Sequence, residues 1–248
     1  MQETQIKRFN HLYTSKLKYI IMKFKLKRIA AFLILIAVSG GSVKSQDKVE
    51  DEKEEYKQVV TARAAKIVKT LGVTDVKMTT KVTEVIAQQY IDLNTIHNAR
   101  NAAVKNVKEQ NKDNNEKGVS DIKKLEAKAD KKLARLHKKY IAKLNKNLNA
   151  AQVEMVKDGM TYGVLPITYK GYQEMLPNIT EEQKKQILVY LTEARERAMD
   201  AESSEKKHGW FGKYKGKINN YLSAAGIDMN KASKEWQQRI KEEAAKDK

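Results

Sequence analysis

The sequence predicts an all-α protein: a multi-helix bundle with a long antiparallel helical hairpin and one irregular loop rich in proline, glycine and tyrosine. Three observations carry that prediction. Only two prolines occur in 248 residues, Pro166 and Pro177, so long stretches run without a residue that breaks a helix. Through most of the chain, apolar side chains recur at steps of three and four rather than two. Two capping boxes, Asn149 with Gln152 and Thr180 with Gln183, mark helix starts. In such a box the short side chain accepts from the third amide, and the glutamine reaches back to the cap's own N–H.

Taken in order, residues 1–21 read as an upstream over-extension ahead of a better start at Met22. From there Lys23, Lys25, Lys27 and Arg28 lead into the apolar run 29–38, and small residues follow to Ser45. That run is about half the ~20 residues a membrane span needs. Residues 22–45 therefore read as a secretory signal peptide cleaved after Ser45, which predicts a periplasmic or secreted protein with no stable membrane insertion. Without cysteine there is neither a lipid anchor nor a disulfide, so helix packing must hold the exported chain together. The first 45 residues hold nine of the 49 Lys/Arg and one of the 31 acidic residues, which leaves +10 of the +18 for the rest. Such a surplus suits an acidic partner as well as a solvated helical surface.

Residues 46–248 read as a single all-helical domain. A first helix over 56–71 ends at Gly72. A hairpin follows over 76–147. Its first arm carries Val82, Ile86, Tyr90, Leu93 and His97 on one stripe, residues 109–119 turn, and Ser120 caps the second arm. Ala99, Ala102 and Ala103 predict further helices packed closely on the hairpin. A short helix over 149–160 opens with Leu148 able to staple onto Val153. The central loop, 161–178, holds both prolines and Tyr162, Tyr169 and Tyr172. C-terminal helices over 181–243 complete the chain: 181–202, Lys213 to Ala225, and Met229 to about Glu243.

Catalytic machinery is not assigned. Thiol chemistry is excluded, no serine lies in a Gly-x-Ser-x-Gly turn, and no phosphate-binding glycine loop follows a strand. His97, His137 and His208 are widely spaced, so no metal site and no cofactor are expected. Carboxylates such as Asp158, Glu174, Glu193, Glu196 and Asp200 leave a paired-carboxylate glycosidase as an alternative.

Two aromatic clusters remain. One is Tyr162, Tyr169 and Tyr172; the other is the run His208, Trp210, Phe211, Lys213, Tyr214 and Lys215, with glycines beside the rings. Flat rings with a polar edge can stack on the C–H face of a sugar while neighbouring donors bind its hydroxyls. The alternative is that Trp210 and Phe211 plug the core between two helices. The lysines would suit an acidic sugar, and nucleic acid is disfavoured for an exported protein.

The runs 156–166 (Val-Lys-Asp-Gly-Met-Thr-Tyr-Gly-Val-Leu-Pro), 177–183 (Pro-Asn-Ile-Thr-Glu-Glu-Gln), 193–196 (Glu-Ala-Arg-Glu) and 213–222 (Lys-Tyr-Lys-Gly-Lys-Ile-Asn-Asn-Tyr-Leu) resemble the secreted family catalogued as domain of unknown function 3826. The resemblance implies a Bacteroidetes protein in a polysaccharide-utilisation context, of a family described only as a candidate sugar binder. It supplies no binding residues. The segments 148–152 and 179–183 are also similar to the Leu-Thr-x-x-Gln motif of helical periplasmic chaperones, each departing at one position. The expectation is an exported, non-catalytic carbohydrate-binding protein, with a periplasmic chaperone or interaction protein and a carbohydrate-active enzyme as alternatives.

Overall fold

Two antiparallel helices, α2 (Val76–Gln110) and α3 (Asn115–Asn145), form the hairpin on which the remaining elements are placed. This computed structural model describes residues 44–112 and 115–246. The leader expected at 22–45 and the extension at 1–21 lie outside the described residues, except for Lys44 and Ser45. Ahead of the hairpin runs α1 (Lys44–Lys69); after it come α4 (Ala150–Met160), α5 (Val164–Met175), α6 (Glu181–Met199), α7 (Ser204–Ala224) and α8 (Met229–Lys246). Among the described residues there is no strand, and no helix is long and apolar enough to cross a membrane.

Lys48–Lys248 form one unit with two apolar clusters. The first packs Val60, Ala64, Ile67 and Val68 of α1 against Val82 and Ile86 of α2, Tyr140 and Leu144 of α3, and Val156 and Met160 of α4. The second is built from Leu165 and Tyr172 of α5, Ile187, Leu191 and Ala198 of α6, and Phe211, Tyr214, Ile218 and Leu222 of α7. Both capping boxes form, with Asn149 starting α4 and Thr180 starting α6. Leu148 and Val153 are buried in the same cluster, as a staple requires.

The structure corrects the sequence reading at several points. The irregular Pro/Gly/Tyr loop expected at 161–178 is mostly helix: α5 occupies Val164–Met175. Pro166 does not break it, because it sits in the first turn, where its missing N–H has no intrahelical acceptor to lose. Irregular backbone is confined to the corners before and after α5, the second of which carries Pro177 just past the C-cap Leu176. The hairpin turn is tighter than 109–119, since α3 begins at Asn115 and Ser120 lies inside it rather than capping it. Ala99 and Ala102 are exposed and Ala103 is half-buried, so among the described residues no helix packs closely over the first two alanines. Finally, α7 starts at Ser204 rather than Lys213, and Gly209, Gly212 and Gly216 are all helical.

Candidate functional site

At the corner between α4 and α5 two successive residues adopt left-handed backbone, Tyr162 with φ 61° and Gly163 with φ 66°. Glycine takes that conformation freely; a tyrosine does so at a cost of about 1–2 kcal/mol. Among the described residues Tyr162 is the one non-glycine with positive φ. The corner is held by the Thr161 hydroxyl, which donates to the Lys157 carbonyl at 2.9 Å, and by Gly163 N–H donating to the Asp158 carbonyl at 2.8 Å. The result is a tyrosine that stays 52% exposed. It stacks on His208 of α7, centroid to centroid 5.7 Å with planes 16° apart. Burial and, secondarily, the charge of Lys215 push the His208 imidazole below its usual range, which keeps it neutral and able both to donate and to accept.

The other residues singled out from the sequence divide. Phe211 and Tyr214 are buried in the second apolar cluster and are not presented to solvent; their positions on α7 repeat the inward spacing of Ile218 and Leu222. Tyr172 is also buried, and its hydroxyl donates to Asn219 Oδ1 at 2.7 Å, tying α5 to α7. Tyr169 is half-buried against the same cluster. Trp210 is half-buried too, with Lys213 Nζ 5.1 Å and Arg197 Cζ 6.0 Å from its ring. Two helical positions apart, His208 and Trp210 leave α7 in nearly opposite directions, about 200°. The two aromatic clusters therefore meet at Tyr162 and His208, while Trp210 and Lys213 form a separate patch with Arg197. Lys215 is half-buried, and burial lowers its amine pKa.

A second constellation, which the sequence reading did not assemble, lies between the two apolar clusters where α4 meets α6. Arg195 of α6, only 3% exposed, donates to Asp158 Oδ1 at 2.7 Å and to Glu154 of α4. Lys157 Nζ bridges Glu154 at 2.9 Å and Glu196 at 3.1 Å. His137 of α3 sits between Glu196 (3.2 Å from Nε2) and Asp200 (2.9 Å from Nδ1). Hydrogen bonds to Asp200 and Glu196 lift its imidazole to about 9 against the opposing effect of burial. Burial alone would raise Glu196, but His137, Lys157 and Arg195 outweigh it and hold the carboxyl at about 2.

Beside this network the carbonyls at the end of α6 are satisfied by a lysine. Lys207 Nζ donates to Ala198 O at 2.9 Å and Met199 O at 3.0 Å, and burial lowers its amine to about 8. The Asp200 carbonyl can only accept, so His97 Nε2, 2.8 Å away, carries the hydrogen. Among the described residues no His, Asp and Glu side chains are grouped so as to hold a metal. Chemically, the network is a clamp of mutually neutralising charges. A glycosidase acid needs a carboxyl raised toward neutrality, whereas the resolved shifts at Glu154 and Glu196 run downward.

A family model described as "Protein of unknown function (DUF3826)" matches residues 57–242. No curated protein matches the chain.

Proposed function

The chain belongs to the family of proteins of unknown function DUF3826, and from that premise we propose that it is an exported, non-catalytic protein that binds carbohydrate. The observation that carries the reading is Tyr162. A buried residue repays backbone strain by packing; Tyr162 is strained and more than half exposed. Left-handed backbone ends α4 here, a place where glycine or asparagine is usual, and a larger residue held in it is often one that positions a group for use. The ring offers a sugar an apolar face, and the neutral His208 beside it offers hydroxyl groups one donor and one acceptor.

Trp210 supplies a second ring surface, bordered by Lys213 and Arg197, which suits a carboxylated or sulfated sugar. The non-catalytic reading draws support from the junction network, whose carboxylates are paired with arginine, lysine and histidine. Glu174, another candidate acid, is an exposed surface group 3.6 Å from Lys170. The export half of the proposal rests on residues 22–45 alone. The chaperone alternative draws less support: both motif copies act as helix caps, and between residues 98 and 135 Val119 is the one large apolar side chain exposed among the described residues. A screen of the purified protein against immobilised neutral and acidic polysaccharides tests the proposal. Binding to at least one is expected; failure to bind any would end it.

A further inference from the structure

The hairpin's second helix carries a charge asymmetry that neither the cores nor the ring surface explains. Lys128, Lys131, Lys132, Arg135, Lys138 and Lys139 are all exposed. At 100° per residue they fall within an arc of about 120°, and they run about 16 Å along the helix. Glu126 and Asp130, the carboxylates of the same stretch, project from the other side of the helix by the same geometry. Lys124, just before the stripe, is neutralised by Asp121 at 3.0 Å. None of the six has an ion-pair partner among the described residues. Six uncompensated like charges on one face repel one another and lower the stability of the helix that carries them. An anionic occupant would turn that repulsion into attraction.

We propose that this face of α3 is the docking surface for a linear acidic polysaccharide, a chain bearing carboxylates or sulfates at regular intervals. The stripe lies on α3 and Tyr162 on the corner between α4 and α5, so the inference draws on different residues, while its choice of a sugar polyanion rests on the carbohydrate reading above. A straight, rigid row of cations matches an extended polyanion better than it matches a compact ligand. Nucleic acid fits less well. The stripe contains one arginine and no exposed ring: Tyr140 is buried with its hydroxyl on Met160 Sδ at 3.1 Å, and His137 is held by Glu196 and Asp200. Bases would find no stacking platform, and phosphates only one guanidinium fork. A membrane surface fits less well still, because a helix that binds lipid inserts an apolar side. The apolar side of α3, including Ala129, Tyr140 and Leu144, is turned inward.

The test is a calorimetric titration of the purified protein with polygalacturonate, with neutral dextran, duplex DNA and phosphatidylglycerol vesicles as comparisons. The first variant carries Lys128→Gln, Lys131→Gln, Lys138→Gln and Lys139→Gln. The second removes the same charge elsewhere, through Lys66→Gln, Lys69→Gln, Lys185→Gln and Lys234→Gln. Circular dichroism confirms that both are folded. Polygalacturonate is expected to bind, weakening as salt rises, and dextran is not expected to bind at this surface. The stripe variant should lose affinity by on the order of a hundred-fold, about half a decade for each cation removed from an anionic partner. The control variant should stay within about three-fold. Equal losses in the two variants would show bulk charge rather than a site and overturn the proposal. So would tighter binding of DNA or vesicles than of polygalacturonate, or no binding of polygalacturonate at all.

Discussion

Arg195 on α6 donates to the carboxylate of Asp158 on α4 at 2.7 Å, with the guanidinium almost sealed from solvent. A buried ion pair contributes little relative to a well-packed apolar replacement, but removing one partner leaves the other charge buried and unpaired. Arg195 also serves Glu154, which keeps Lys157 at 2.9 Å, so its loss falls mainly on Asp158. Arg195→Met is therefore expected to destabilise the fold by about 3–5 kcal/mol. Urea unfolding monitored by circular dichroism checks this; a loss below about 1 kcal/mol would mean that the network is solvated and dispensable.

Stability should fall with rising pH through the range set by His137. Its imidazole is raised in the folded protein to about 9 from 6.5. A raised folded pKa gives a contribution that is complete below the unfolded value and lost as pH climbs through the folded one. The gap in stability between the wild type and His137→Gln should thus be widest below pH 6.5 and close by about pH 9. Lys207 acts in the opposite sense. Its folded pKa of about 8 lies below 10.5, so the burial penalty is relieved above pH 8, and the wild-type curve alone would blur the two effects. At the acid end, Glu196 contributes above its ordinary 4.5, and that contribution disappears as pH falls toward 2. A gap for His137→Gln that widened from pH 7 to 9 would contradict the assignment.

Two glycines should respond to alanine with opposite signs. A Cβ on Gly159 would lie 2.9 Å from Ile67 Cγ2, at the close approach of α4 to α1. Gly159→Ala should cost about 1–3 kcal/mol, the usual penalty for overpacking. Around Gly212, in the exposed middle of α7, a Cβ meets nothing within 4 Å. Gly212→Ala should stabilise by about 0.5–1 kcal/mol, because the unfolded chain loses freedom and the helix loses none. Thermal melts of the two variants decide it.

Tyr162→Gly should leave the protein within about 1 kcal/mol of the wild type. Relief of the left-handed strain, about 1–2 kcal/mol, is set against the lost stack on His208, about 0.5–1.5 kcal/mol. A drop of several kcal/mol in denaturant melts would show that the ring is structural and would remove the main argument for its display.

Much of the helical content was legible, because periodicity and capping depend on near neighbours: both boxes and the hairpin arms follow from residues a few positions apart. The central helix α5 was hidden by the weight given to Pro166, Gly163 and Gly171, although a proline in a first turn starts a helix as readily as it stops one. The junction network left a trace that periodicity could have exposed. Arg195 continues the inward stripe of Ile187 and Leu191, and Lys207 heads the stripe of Phe211, Tyr214 and Ile218, so each is a charge at a core position. What each would meet was not readable, because Asp158 and Arg195 are 37 residues apart and their encounter depends on how α4 lies across α6. For the same reason the spacing of the run 208–215 could place Phe211 and Tyr214 inside, but not Tyr162 against His208.

The most direct test of the account is the affinity of Tyr162→Ala for the neutral polysaccharide that the wild type binds most tightly, measured by calorimetry beside a melt of the same sample. A loss of about ten-fold or more, about 1.4 kcal/mol of binding free energy, in a variant that still melts cooperatively is the predicted outcome. Undiminished affinity in a folded variant would contradict the claim that this strained, exposed ring is there to hold a sugar.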